Sequence, residues 1–153
     1  RYPRGRGEIV DWKKNHFGKY HKIEIGKAKC LKKGSKIAVL SAGTIGNNVI
    51  QALLKTKKSE DFAHYDFGFV KPLDESLLHS IFSDFKEIIT IEDGTKTGGF
   101  GTSILEFSAS HQYKSNLKIL GIPDEFIEHG TVAELQQICK IDVESLEILF
   151  SQY

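Results

Sequence analysis

Two continuous apolar runs limit the fold of this chain more than any other feature of its sequence. The stretches KIAVLSAG (36–43) and EIITIED (87–93) lack the polar–apolar alternation of a strand with one wet face. Both are therefore typical of strands covered on two faces. Each is followed by a glycine-containing turn and then by apolar residues at helical spacing. Strands alternating with helices in this way indicate βαβ units, and so a mostly parallel sheet between two layers of helices.

Three more strands are predicted at 22–34, 64–70 and 116–123. The first alternates polar and apolar residues, as an edge strand does, and Gly34 ends it. The predicted fold is thus α/β, a three-layer α/β/α sandwich around a mostly parallel five-stranded sheet.

The helix starts are marked by residues that can accept hydrogen bonds from first-turn amides. Asp74 and Asp142 each precede a helical pattern. Thr131 with Glu134 three residues later matches the capping box. Another helix is predicted to open at Gly43 and Thr44. Its apolar residues at near-helical spacing are Ile45, Val49, Leu53 and Leu54.

Composition restricts the class of protein. The 153 residues are 40% hydrophobic and 27% charged, which is typical of one globular domain. No apolar run approaches the roughly 18–20 residues of a membrane span, so no membrane partner is expected. The chain contains no methionine, which favours a fragment of a longer product. Cys30 and Cys139 show no CxxC spacing and are interpreted as buried thiols in a reducing compartment.

Positive charge is concentrated at the start of the chain. Residues 1–36 hold twelve of the 21 Lys and Arg but only three of the 20 acidic residues. This asymmetry fits either an anion-binding edge or a solvated leader. The glycine-flanked arginines of RYPRGRG favour phosphate binding, because a guanidinium offers phosphate a bidentate fork. No nucleic-acid-binding pattern accompanies the charge, so no nucleic-acid partner is expected.

Two strand-to-helix turns could cradle an anion. EDGTKTGGFGTS (92–103) precedes a helix, where free amides attract phosphate. Its spacing matches neither GxGxxG nor GxxxxGK[ST], and two acids would repel phosphate. The favoured interpretation is a tight turn in which Gly98 and Gly99 let the helix pack close to the sheet. SAGT (41–44) is likewise interpreted as a plain turn, with anion binding left open.

No complete active site is visible. The six histidines show no metal-ligand spacing, and His129 is interpreted as a helix-entry residue. No GxSxG elbow or Cys/His pair indicates a nucleophile. We therefore expect no catalytic, cofactor-binding or metal-binding residue in this chain.

The order of motifs carries a resemblance. RYPRG, IEIGKAKCLKKG, IAVLSAGT, DFGFVKPLD, EIITIEDGTKTGGFG and ILGIPDEFIEHGT follow one another. In this order the chain resembles the C-terminal part of the 1-deoxy-D-xylulose-5-phosphate synthases, thiamine diphosphate-dependent enzymes of the transketolase superfamily. The resemblance implies one antiparallel edge strand in the sheet. It also implies that residues 1–22 end the pyrimidine-binding domain and form a linker, and that 23–153 form a transketolase C-terminal-type domain.

The resemblance further implies a reaction. These enzymes condense pyruvate with glyceraldehyde 3-phosphate with loss of CO2, using thiamine diphosphate and Mg²⁺, as homodimers in the bacterial cytoplasm or in plastids. By motif position, Arg4 would bind the phosphate of glyceraldehyde 3-phosphate. The family's cofactor motif, activating glutamate and active-site histidines are absent from this sequence. The fragment is therefore expected to be inactive alone and to serve domain packing and dimer support, with no role implied for Arg6 or His129.

Two alternatives stay open. The chain could be the C-terminal domain of another superfamily member, such as a transketolase or a pyruvate dehydrogenase beta subunit. It could also be a stand-alone anion-binding or assembly module, because one fold hosts many functions.

Overall fold

The computed structural model describes residues 22–153, which form one five-stranded sheet with helices on both faces. The strands are β1 (Lys29–Lys32), β2 (Ile37–Ala42), β3 (Phe62–Asp66), β4 (Glu87–Thr95) and β5 (Asn116–Ile122). The helices are α1 (Gly46–Lys55), α2 (Glu75–Asp84), α3 (Phe100–Ser110), α4 (Val132–Ile138) and α5 (Val143–Phe150), with a 3₁₀ turn at Ser59–Asp61.

The sheet order is β1-β3-β2-β4-β5. β1 lies antiparallel to β3 at one edge, and the other four strands are parallel. The predicted fold class is confirmed, including the antiparallel edge strand.

Apolar side chains on the two faces of the sheet build two separate cores, which confirms the three layers. Along β2, Ile37 and Val39 belong to one core, with residues of α1 and α5. Ala38 and Leu40 belong to the other, with residues of α2 and α3. All four side chains are at most 3% exposed. The continuous apolar run predicted a strand covered on both faces, and the packing explains why it is continuous.

Several predicted boundaries are wrong by a few residues. β3 begins at Phe62 and ends at Asp66, earlier than predicted, because its ladder with β2 stops where β2 stops. β1 is short because the chain turns at Gly26, which has φ +74°. Helix α1 begins at Gly46, after a turn, and Leu54 points to solvent at 76% exposure. Leu54 follows the buried Leu53, and successive helical residues point about 100° apart.

The three predicted helix caps are confirmed. The Asp74 side chain accepts from the Leu77 amide, and Asp142 accepts from first-turn amides of α5. Thr131 and Glu134 form the complete capping box at α4. Local sequence is sufficient for these predictions because a cap acts within one turn of its own helix.

Asp74 also fastens the segment ahead of β1 to α2. Its Oδ1 accepts from the Leu77 amide at 3.2 Å and from the Ser76 hydroxyl at 2.8 Å. Its Oδ2 accepts from the Ala28 amide at 3.2 Å, and Lys27 Nζ lies 3.2 Å from Oδ1. Burial alone would raise the pKa of Asp74, but these hydrogen bonds outweigh it and hold the pKa below its ordinary value.

Asp74→Ala is expected to lower the free energy of unfolding by about 2 kcal/mol, because it removes a cap and leaves the half-buried Ala28 amide without its acceptor. Urea unfolding at pH 7 measures the loss. Asp142→Ala is the matched control, since Asp142 caps only its own helix, and about 1 kcal/mol is expected there. Equal losses in the two variants would contradict the link to the segment ahead of β1.

Candidate functional site

The carboxyl ends of β2, β3 and β4 border an open crevice at one edge of the sheet. In the sheet, β3 lies on one side of β2 and β4 lies on the other, so the chain reverses its direction across the sheet after β3. In open α/β sheets, ligands bind at such a switch in strand order. The crevice encloses about 460 Å³. Its lining residues include Gly43, Thr44, Phe67, Val70, Glu92 and Phe100.

One amide at the start of α3, in this crevice, is already satisfied by a side chain. The Gly101 amide donates to Glu92 Oε1 at 2.9 Å, and Glu92 is only 8% exposed. Free amides at a helix start are what attract anions there. Because the Glu92 carboxylate holds this position and Asp93 lies beside it, the crevice offers phosphate neither this amide nor an attractive charge.

Two glycines at the start of α3 leave room for the Glu92 carboxylate and for the neighbouring sheet. A Cβ on Gly99 would overlap the Thr95 carbonyl oxygen and the Glu92 carboxylate. A Cβ on Gly101 would overlap the Ile119 side chain on β5. The helix therefore packs close to the sheet, as the sequence predicted, through Gly99 and Gly101.

Gly98 has a different role from the one predicted. A Cβ there would meet nothing within 4 Å, but the residue has φ +72°, which favours glycine. Its amide donates to Thr102 Oγ1 at 3.1 Å, and that hydroxyl donates to the Lys96 carbonyl at 2.7 Å. The Gly98 amide is thus satisfied within the turn, by the Thr102 hydroxyl.

The turn at 41–44 also closes on itself. Gly43 has φ +88°, and its carbonyl accepts from the Gly46 amide at 3.2 Å. The Thr44 carbonyl accepts from the Asn47 amide at 3.0 Å. The plain-turn interpretation agrees with this geometry.

The family model for the transketolase C-terminal domain matches residues 26–146, which is most of the chain. The chain belongs to the transketolase C-terminal domain family. Its mixed sheet, with β1 reversed at one edge, is the arrangement that the sequence resemblance implied for such a domain.

Curated relatives of this transketolase C-terminal domain are bacterial 1-deoxy-D-xylulose-5-phosphate synthases. That of Bacteroides thetaiotaomicron is 50% identical over 148 residues, which cover 95% of this chain and 22% of the relative. That of Psychromonas ingrahamii is 36% identical over 147 residues, covering 96% of this chain and 22% of the relative. The chain thus spans about a fifth of the length of these relatives, and it matches their C-terminal domain.

Solved structures agree on the fold. A split-gene transketolase, described as an inactive beta4 tetramer, superposes with a TM-score of 0.75 at 21% identity, over 86% of this chain and 43% of that chain. Transketolase from Campylobacter jejuni superposes with a TM-score of 0.57 at 14% identity, over 84% of this chain and 19% of that chain.

The predicted substrate-binding residue Arg4 lies outside the described residues, as do Arg6, His16 and His21. The division of the chain between residues 22 and 23 also stays a prediction.

One buried histidine was not anticipated from the sequence. His64 on β3 is fully buried, and its Nε2 lies 2.8 Å from Ser41 Oγ. Within residues 22–153 its Nδ1 has no hydrogen-bond partner. Burial lowers the pKa of His64 to about 4, so the ring is neutral at pH 7. The apolar residues on both sides of His64 in the sequence could have indicated its burial.

The remaining described histidines do not form a metal centre. His129 is exposed in the loop ahead of α4, as a helix-entry residue would be. His79 and His111 meet edge to face at the surface, with ring centroids 4.7 Å apart. Among residues 22–153, no group of three or more His, Cys, Asp or Glu side chains could hold a metal ion.

The prediction of two buried thiols is wrong for Cys30 and only partly correct for Cys139. Both are free thiols, but Cys30 is exposed and Cys139 is half-buried. Cys30 lies on the short edge strand β1, where none of the described helices covers its side chain. Burial raises the pKa of the Cys139 thiol, with Glu125 and Asp93 adding to the effect. In the same described part of the chain, no helix is long and apolar enough to cross a membrane.

Proposed function

We propose that this chain serves as the C-terminal domain of a full-length 1-deoxy-D-xylulose-5-phosphate synthase, which condenses pyruvate with glyceraldehyde 3-phosphate. One observation carries the proposal: 50% identity to such a synthase across 95% of the chain. In this proposal the domain packs against the preceding domain and supports a homodimer. The enzyme would work in the bacterial cytoplasm, or in a plastid if the source is a photosynthetic eukaryote.

The cofactor of such a synthase does not fit the described residues. Thiamine diphosphate needs a diphosphate cradle, whereas at the start of α3 the Gly101 amide already donates to the Glu92 carboxylate. Mg²⁺ prefers clustered oxygen ligands, and residues 22–153 contain no group of three candidate side chains. The proposal therefore assigns thiamine diphosphate and Mg²⁺ to the remainder of the longer polypeptide, and it makes the fragment inactive alone.

The test compares two purified proteins. The full-length polypeptide, supplied with thiamine diphosphate and Mg²⁺, is expected to form 1-deoxy-D-xylulose 5-phosphate from pyruvate and glyceraldehyde 3-phosphate, whereas the 153-residue chain forms none. Ketol transfer between sugar phosphates, or acetyl transfer from pyruvate, would identify another superfamily enzyme. A native polypeptide of about 17 kDa would instead favour the stand-alone module.

Arg4 is proposed to bind the phosphate of glyceraldehyde 3-phosphate. Arg4→Ala in the full-length enzyme is expected to raise the KM for this substrate about ten- to a hundredfold, because a charge-assisted phosphate contact contributes roughly 1.5–3 kcal/mol. Steady-state kinetics with each substrate varied measures the effect, and the KM for pyruvate should change little. Arg1→Ala is the control, and equal effects at the two positions would sink the assignment.

A further inference from the structure

The crevice at the carboxyl ends of β2, β3 and β4 has the size of a small-molecule site. It encloses about 460 Å³, and ligand pockets in proteins measure roughly 300–1,000 Å³. Gly43 and Gly68 are among its lining residues, and a Cβ at either position would meet nothing within 4 Å. The described part of the chain therefore leaves this space free, and the proposed function assigns it no ligand.

The lining of the crevice is acidic and apolar. Its charged members within residues 22–153 are Glu92 and Asp93, with no Lys, Arg or His among the described lining residues. The bulky apolar side chains on it are Phe67, Val70 and Phe100. Carboxylates attract a cation, and apolar side chains favour the burial of an apolar group. The lining thus suits a ligand that joins a cationic group to an apolar body.

Glu92 supplies a hydrogen-bond acceptor that the described domain uses only in part. The residue is 8% exposed. Its Oε1 accepts from the Gly101 amide at 2.9 Å, whereas no donor from residues 22–153 lies within hydrogen-bond distance of Oε2. Oε2 is nevertheless not sealed from solvent. Because a carboxylate has about four acceptor positions, Oε2 can still accept N–H groups from a ligand.

Glycines hold the Glu92 side chain in a close-fitting pocket of backbone. A Cβ on Gly94 would lie 3.0 Å from Oε2, and one on Gly121 would lie 3.1 Å from Cγ. A Cβ on Gly99 would overlap both carboxylate oxygens. The backbone at the end of β4, in the turn before α3 and in β5 thus surrounds this side chain. A carboxylate fixed in this way is preorganised, so less conformational entropy is lost when a ligand binds it.

We propose that this crevice binds a small organic ammonium ion. The N–H groups of the ligand donate to Glu92 Oε2, Asp93 adds to the negative potential, and the apolar body of the ligand lies against the apolar lining. An ammonium group carries three N–H donors and a positive charge, and a hydrogen bond between two charged groups is stronger than a neutral one. The inference goes beyond the proposed function and does not rest on it.

The first experiment compares three probes that share a phenyl ring and differ in charge. Isothermal titration calorimetry measures the binding of 2-phenylethylammonium, 2-phenylethanol and phenylacetate to the full-length protein. The ammonium probe is expected to bind with a Kd of about 1 mM, an affinity typical of a ligand of this size. The alcohol should bind at least about tenfold more weakly, because it offers no charge to Glu92. Phenylacetate should bind most weakly of the three.

Two variants locate the binding. Glu92→Gln keeps an oxygen for the Gly101 amide and removes the charge, and it should raise the Kd for the ammonium probe about ten- to a hundredfold. Glu106→Gln is the matched control, because Glu106 is exposed on α3 and is not a lining residue. Gly68→Leu fills the crevice with a side chain and leaves Glu92 unchanged. It should abolish binding even where Glu92→Gln fails to fold.

Each outcome decides the proposal. Similar Kd values for the ammonium probe and the alcohol would show a merely apolar crevice and overturn it. Unchanged affinity in Glu92→Gln or in Gly68→Leu would place the ammonium probe elsewhere and overturn it as well. A wild type that binds none of the three probes would show that the crevice is filled in the full-length protein, which also refutes the proposal. Selective binding of the ammonium probe, lost in both variants and kept in Glu106→Gln, supports it.

Discussion

Gly34→Ala is expected to lower the free energy of unfolding by about 3 kcal/mol or more, which is the largest single-residue loss we predict. A Cβ at Gly34 would overlap backbone atoms of Phe62 and Ala63. These residues lie on β3, which is paired with β2, so the obstructing backbone has no room to move. The only relief is to displace the connection from β1 to β2 and the strands around it.

Urea and thermal unfolding measure this effect, and the chain supplies its own control. A Cβ at Gly68 would meet nothing within 4 Å, and this residue has no positive φ. Gly68→Ala should therefore be neutral, or stabilising by about 0.5 kcal/mol, through the lower entropy of the unfolded chain. If the free energies of unfolding of Gly34→Ala and Gly68→Ala differed by less than about 1 kcal/mol, Gly34 could not lie as close to β3 as described.

The second large effect is a loss of stability in mild acid that originates at His64. Its pKa is about 4 in the folded chain, against an ordinary value of 6.5. Between these values the unfolded chain binds a proton at His64 that the folded chain does not bind. The contribution of His64 to the free energy of unfolding is therefore fully present above pH 6.5, and it decreases as the pH drops toward 4. From pH 7.5 to 4.5 the expected loss is about 2.5 kcal/mol.

Urea unfolding across this range, for wild type and His64→Gln, isolates the contribution. The variant loses the contact with Ser41 and starts less stable. The glutamine side chain does not titrate. The difference in free energy of unfolding between the wild type and the variant should therefore decrease by about 2.5 kcal/mol as the pH falls. Parallel curves for wild type and His64→Gln would contradict a neutral, buried His64.

The fold could be predicted because its determinants are local or periodic. The apolar run of β2 indicated burial on both faces, and the caps at Asp74, Thr131 and Asp142 act within one helical turn. Boundaries were less accurate because they depend on partners. β3 ends where β2 stops offering hydrogen bonds, and no pattern within β3 encodes that limit.

The site was harder to predict because its contacts join residues from different elements. Glu92 and Asp93 were expected to repel phosphate. That Glu92 itself accepts from the Gly101 amide at the start of α3 follows only from the folded arrangement. His64 meets Ser41 across two strands. Cys30 was taken as buried by residue type, yet its edge position leaves it exposed. Residue type indicates average burial, whereas topology decides the individual case.

The reversed direction of β1 has a consequence for the longer polypeptide. Lys29 pairs with Asp66 and Lys32 with His64, so the chain enters at the carboxyl ends of the parallel strands. If residues 1–22 end the preceding domain and form a linker, as we propose, the 18 Cα–Cα steps from Arg4 to Lys22 give a tether that spans at most about 60 Å. A tether of this length holds two domains at a millimolar effective concentration. Cutting it would turn their contact into a bimolecular encounter, and at micromolar protein a weak contact would then be lost.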